Sequence, residues 1–234
     1  MKVVKNDLFD YGLCIYQDES LFKFSLDSIL LAEFLENKNG LNNIVDFCTG
    51  NGAVPLILST KLKAKIVGFE IQKNVFELAY NSVLANNLEG QIKVINANLS
   101  ESLEYILPET VDAVTCNPPY FKVNKDSLVN EDEQKAIARH ELMTNLEEII
   151  VSAKYILKNK ASLYMVHRPE RLMEILRLLE KYKFGIKKLQ FIYAGFNKNA
   201  IMVLIKATKN GSDGLIINKP IDVLKYKSYK NIFD

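Results

Sequence analysis

The chain has 234 residues, 48% of them apolar, and a net charge of +2. That length and composition suit one well-buried α/β domain with a small extension and exclude wholesale disorder. No apolar run approaches the ~18 residues of a membrane span, and the N-terminal MKVVKNDLFDYG lacks the apolar core of a secretion signal.

Three widely spaced cysteines, Cys14, Cys48 and Cys116, point to a reducing cytoplasm rather than a disulfide framework. With two histidines and no cysteine pair at zinc-ligand spacing, no metal site is expected. The small net charge hides an asymmetry. Residues 1–157 hold 14 Lys/Arg against 22 Asp/Glu, and residues 158–234 hold 16 against 6. A basic C-terminal third is the footprint of a phosphate-backbone binder, or else lysine-rich composition scattered over solvated faces.

Residues 1–20 read as irregular or short-stranded, with Gly12–Tyr16 as an edge strand. Ser25-Leu-Asp-Ser28 starts a helix, capped by Ser25 or Asp27, that runs to about Asn39-Gly40. Residues 1–40 are therefore an extension and helix packed on the core, 41–210 the main domain, and 211–234 a basic tail.

Asn43–Thr49 is a buried strand by its apolar run, and it enters Gly50-Asn-Gly52 and then a helix with Pro55 in its first turn. The glycines let the backbone pass close to a ligand, and the helix N-terminus favours an anionic group. Asp46 can accept from an ammonium or a hydroxyl. The spacing departs from the Gly-x-Gly-x-x-Gly dinucleotide fingerprint, because Pro55 takes the third glycine position, so a pyrophosphate is disfavoured. Lys65–Glu70 is the next strand, and Glu70 is placed to hydrogen-bond two ribose hydroxyls. An amphipathic helix follows from Lys73 to about Asn87. Gln91–Asn98 is a third strand, with the Asn98 oxygen placed for an adenine amino group; Ser100 caps a short helix after it.

The fourth strand, from Asp112, ends in Asn117-Pro-Pro-Tyr120. Both prolines fix φ and lack an N–H, so the ladder stops there. The arm offers an amide oxygen, the Pro118 carbonyl and the Tyr120 ring beyond the carboxyl end of a strand, where ligands bind in open α/β sheets. Two acceptors and a stacking ring suit an amino group on a flat base, or a side-chain amide. Taken alone, the four residues are equally a turn. Four successive strands ending at Asp46, Glu70, Asn98 and Asn117 favour an adenosine-type cofactor beside an amino-group trap.

The ordered set Asp46-Phe-Cys-Thr-Gly-Asn-Gly52, Glu70, Asn98 and Asn117-Pro-Pro-Tyr120 resembles S-adenosylmethionine-dependent methyltransferases that act on amino groups. The resemblance covers roughly residues 20–210. It implies an α/β fold: a Rossmann-like, seven-stranded, mostly parallel sheet with a C-terminal antiparallel hairpin. Phe24–Ala32, Phe121, Ala138-Arg-His-Glu141 and His167–Leu172 are similar to the bacterial tRNA N6-adenosine methyltransferases acting at position 37 of valine tRNA. Cys48 stands where many methyltransferases carry glycine, and Asn98 where many carry aspartate.

On that resemblance the cofactor is S-adenosyl-L-methionine, held by Asp46, Thr49, Gly50, Gly52, Glu70, Asn98 and Asn117. The partner is tRNA, with no membrane and no obligate protein partner. Asn117, Pro118, Pro119 and Tyr120 carry the chemistry: Asn117 and the Pro118 carbonyl accept the amine protons, and Tyr120 with Phe121 stacks a flipped-out base.

Residues 122–134 read as a loop over the site. Arg139 can meet a phosphate and His140 the substrate. An amphipathic helix covers Leu146–Leu157, Lys158-Asn-Lys160 is a turn, and Ala161–His167 is a fifth strand. A helix from Pro169 to about Lys183 and a hairpin of 186–194 with 200–208 complete the fold. Arg168 and Lys198, with Arg171, Lys187 and Lys188, guide RNA or are surface charge. Residues 215–234 are a last strand and arm, or disordered. Three alternatives stay open: a glutamine N5-methyltransferase acting on a release factor, a DNA adenine methyltransferase, and a non-catalytic RNA-binding protein. The first lacks room here for its usual N-terminal helical domain. The second lacks a visible target-recognition region, and the third fits poorly with an intact Asn117 and Tyr120.

Overall fold

The computed structural model describes residues 3–18, 26–36, 40–119, 145–212, 214–230 and 232–233. Seven long strands form one sheet: β3 (Asn43–Phe47), β4 (Lys65–Phe69), β5 (Ile92–Ile95), β6 (Val111–Cys116), β7 (Leu157–His167), β8 (Phe184–Tyr193) and β9 (Met202–Lys209). Their order across the sheet is β8-β9-β7-β6-β3-β4-β5. β9 runs antiparallel to both neighbours, and the pairings from β7 through β6, β3 and β4 to β5 are parallel.

The strands are apolar on both faces because both faces are covered. Helices α1 (Leu26–Phe34), α2 (Ala53–Lys61) and α3 (Lys73–Ala85) cover one face; Leu30, Leu56, Ile57 and Val83 join Ile44, Ile66 and Ala113 in its core. Helices α4 (Leu146–Ile156) and α5 (Leu172–Lys181) cover the other, where Ile149, Ile150 and Ile175 meet Val45, Phe47 and Val114. The switch of side from Ile44 to Val45 is the period-two alternation of a strand. It puts Asp46 and Thr115 on the α1–α3 face.

Two expectations change, and one open alternative is decided. Gly12–Tyr16 is not an edge of the main sheet: β1 (Val3–Leu8) and β2 (Leu13–Asp18) form their own antiparallel hairpin. That hairpin lies on α3, where the Asn86 side chain bonds both backbone groups of Cys14, at 3.0 and 2.7 Å, and Ser82 accepts from the Tyr16 N–H at 2.9 Å. Lys158-Asn-Lys160 is not a turn between elements but an irregular stretch inside β7, with Lys160 at φ 65° absorbing the register shift against β6. For the tail, the strand alternative holds, but as two short strands rather than one. β10 (Ile216–Ile217) and β11 (Ile221–Asp222) pair parallel with β8, making nine strands. The Phe233 ring then packs edge-on against Phe34 at 5.6 Å.

Candidate active site

The register brings the strand ends level. Phe47 pairs with both Phe69 and Cys116, and Phe69 with Ile95. Glu70 and Asn117 therefore sit one residue beyond the same edge, Asp46 one residue inside it, and Asn98 three residues beyond β5.

The turn from β3 to α2 is built on backbone that L-residues seldom adopt. Cys48 has φ 56°, Gly50 φ 58° and Gly52 φ 88°. Gly52 occupies the cap position of α2 and makes no side-chain cap bond. Two carboxylates hold this loop from below. Asp46 accepts from the Thr49 hydroxyl at 2.6 Å and from the Thr115 hydroxyl of β6 at 2.5 Å. Glu70 accepts from the Gly50 N–H at 3.0 Å and from the Gln72 N–H at 2.9 Å. The Thr49 side chain rests directly on Gly68 of β4, where an added Cβ would lie 2.8 Å from the Thr49 Oγ1. At Gly50, by contrast, an added Cβ would meet nothing within 4 Å.

Burial dominates the electrostatics. It pushes the Asp46 carboxyl up to about 7, against the two threonine hydroxyls, with the nearby Glu70 charge adding to the rise. Burial also raises Glu70, opposed by its backbone donors Gln72 and Gly50. An ionised carboxylate is costly inside a protein unless it is hydrogen-bonded, and both carry such bonds.

Asn117 begins the proline arm. Its Nδ2 donates to the Ser28 hydroxyl of α1 at 3.1 Å. That bond orients the amide, carrying the nitrogen toward α1 and the oxygen to the opposite side. Pro118 is buried and Pro119 exposed. Cys116, just before Asn117, is fully buried beside Cys48, so the base of the arm meets the base of the glycine loop; burial first, and the neighbouring thiol, push its thiol up.

Sequence reasoning missed Ser28. It was visible only as a polar residue in the first turn of a helix whose following residues, Leu30 to Ala32, are fully buried. Asn98 has a task the sequence did not assign: its side chain caps the 3-10 turn Leu99–Glu104 by accepting from the Ser100 N–H at 3.1 Å. The cap is thus Asn98, not Ser100.

The basic candidates lie along the same edge but on the other side of β6. Arg168 follows β7, and its guanidinium donates to the Ile201 carbonyl at 3.0 Å, bracing β7 to the start of β9. His167, beside it, is buried; burial and the Arg171 cation push it down to about 4. Lys198 stands in the β8–β9 loop, its N–H bonded to the Gly195 carbonyl at 3.1 Å. Tyr120, Phe121, Arg139 and His140, with the loop at 122–134, lie outside the described residues. Among the described residues, no helix is long and apolar enough to cross a membrane.

Comparison with known proteins agrees with this frame. The chain is 29% identical over 154 residues to a tRNA1(Val) (adenine(37)-N6)-methyltransferase of Bacteroides thetaiotaomicron, covering 65% of this chain and 62% of that protein. A protein of the same name from Pedobacter heparinus is 26% identical over 193 residues, covering 82% and 79%. The chain thus spans less than two thirds of the first of these relatives. Among solved structures, a predicted O-methyltransferase from Agrobacterium tumefaciens superposes with a TM-score of 0.68 at 21% identity, covering 85% of this chain and 88% of that one. A T. thermophilus 16S rRNA N2 methyltransferase, solved with AdoMet and guanosine, gives 0.61 at 21% identity, covering 89% and 50%. These two show a shared fold. The family model described as "Methyltransferase small domain" matches residues 22–186, well over half of the chain, and the chain belongs to that family.

Proposed function

We propose that this chain transfers a methyl group from S-adenosyl-L-methionine to the N6 amino group of an adenosine in tRNA, at position 37 of valine tRNA. The observation that carries the reading is the Asn117 amide, oriented by Ser28 and set one residue past the edge that holds the glycine loop. The names of the relatives supply the substrate and the position.

The residues present fit the cofactor. Gly50 offers open space where a Cβ would stand. Glu70 uses one oxygen each on Gly50 and Gln72, and a carboxylate with about four lone-pair sites can also accept from two ribose hydroxyls. Asp46 ties the loop to β6 through Thr49 and Thr115, and by the same count of lone pairs its carboxyl can also accept from the cofactor. Asn98 lies beyond β5 on the side expected for the adenine. When bound, the cofactor supplies an electrophilic methyl on a sulfonium.

The chain's own work is on the acceptor. An adenine amine is a poor nucleophile, because its lone pair is delocalised into the ring. The Asn117 oxygen and the Pro118 carbonyl accept its two N–H groups, which favours a pyramidal nitrogen with the lone pair turned to the methyl. Tyr120, with Phe121, stacks the base, and His140 contacts it; Arg139, Arg168 and Lys198 meet phosphates. Positioning and electrostatics supply the rate, and no strong base is needed.

Two unmodified valine-tRNA transcripts test the reading, one with adenosine at position 37 and one with guanosine there. Methyl incorporation only into the first supports it. Equal incorporation into both, or into neither, contradicts it.

A further inference from the structure

The Phe196 ring is half exposed, at 50%, on a loop held by specific bonds. Gly195 takes φ 93° and donates its N–H to the buried Asp222 carboxylate at 2.9 Å, and the same oxygen accepts from the Leu224 N–H at 3.2 Å. One carboxylate thus ties the β8–β9 loop to the 3-10 turn Val223–Lys225. Tyr193, at the end of β8, meets the Phe196 ring at 5.5 Å and 69°. The Lys225 ammonium lies 4.7 Å from its centroid. Leu224 and Tyr226 beside it are also exposed.

This tip stands on the catalytic edge. β8 runs parallel to β7 and β6, since β9 is antiparallel to both β7 and β8, so Tyr193 and Asn117 end at the same side of the sheet. Three strand spacings separate β8 from β6, roughly 14 Å at ~4.8 Å each. The surface between them carries Arg168, and the tip itself carries Lys198 and Lys225. The segment from 158 onward supplies the excess of ten positive charges. An exposed aromatic ring fixed on a rigid loop, flanked by cations and level with a base-modifying site, matches how single strands are held: bases stack on rings while cations track the phosphates.

We propose that Phe196, with Lys225 and Lys198, forms a platform that stacks an unpaired base of the RNA flanking the target and neutralises the adjoining phosphates. The platform rests on the reading of the chain as an RNA methyltransferase. It adds a second contact, outside the methyl-transfer site, that sets RNA affinity rather than chemistry.

The test is the affinity of the full chain for unmodified tRNA at several salt concentrations, beside its affinity for S-adenosylmethionine and its thermal midpoint. Phe196→Ala is expected to weaken tRNA binding about tenfold with cofactor affinity unchanged, and Phe196→Trp to restore it. Lys225→Gln and Lys198→Gln are each expected to reduce the slope of log affinity against log salt by about 0.7. Should Phe196→Ala unfold the chain, Phe196→Leu keeps the apolar bulk without the ring and gives the same result. Wild-type tRNA affinity in the Phe196 variants, in a chain that methylates tRNA, overturns the platform and leaves the functional reading intact. A wild-type chain that neither binds nor methylates tRNA overturns both.

Discussion

The two halves of the sheet edge differ in where they keep their charge. On the β3–β5 side two carboxylates, nearly inaccessible at 1% for Asp46 and 6% for Glu70, hydrogen-bond the glycine loop and also Thr115 and Gln72 beside it. On the β7–β9 side Arg168, Lys198 and Lys225 stand at the surface, Arg168 braces the Ile201 carbonyl, and one buried carboxylate, Asp222, ties the loop to the turn after it. On the proposed reading the first half is a cradle for a small ligand, and the second suits a large anionic partner. Asn117 sits at the junction, and its amide nitrogen donates to Ser28 of α1.

That division can be broken at named residues. The largest effect is expected at the junction: Asn117→Ala should slow methyl transfer by about 10²–10³ while cofactor affinity, measured by titration calorimetry, stays within a few-fold. Equal losses would place Asn117 in the cradle instead.

Asp46→Asn probes the cradle through pH. A carboxyl raised to about 7 in the folded chain holds a proton that the unfolded chain has already lost, so folding stability falls as pH rises from about 4 to 7. The sensitivity is on the order of a few kcal/mol across that window. The variant lacks this contribution, and its thermal midpoint should gain on the wild type as pH rises. Parallel midpoint curves would contradict the assignment.

Gly68→Ala sharpens the same half. Its new Cβ meets the Thr49 Oγ1 at 2.8 Å and Cβ at 3.0 Å, forcing the loop to shift. About 1–3 kcal/mol of stability should be lost in denaturant titrations, with weaker cofactor binding; an unchanged cofactor affinity would mean that the loop does not touch the ligand.

Ser28→Ala is the mildest. It should lower kcat roughly tenfold with KM for the cofactor unchanged, and Ser28→Thr, which keeps the hydroxyl, should recover much of it. A purely structural role would lower the melting point without that kinetic split.

Much of this was legible in the sequence because it is local. The strands β3 to β6 are short apolar runs with a polar residue at or near each end, and burial on both faces of a sheet leaves little other way to write them. The glycine loop announces itself by needing positive φ at Gly50 and Gly52. What escaped was long-range or too short to carry a period. Ser28 acts across 89 positions of sequence, and nothing near it names its partner. Asp46 was legible at its strand end, but its bonds to Thr49 and to Thr115 on another strand were not. The two-residue strands β10 and β11 have no alternation to read, and they form because β8 offers an open edge. Lys160 at φ 65° looked like a turn because a bulge and a turn draw on the same backbone.

The most direct measurement supplies the protein with methyl-labelled S-adenosylmethionine and, separately, unmodified tRNA, ribosomal RNA, DNA and a release factor, then identifies the labelled product. The account predicts label in tRNA alone, as N6-methyladenosine. Label on a glutamine of the release factor, or none in any pool, would contradict it.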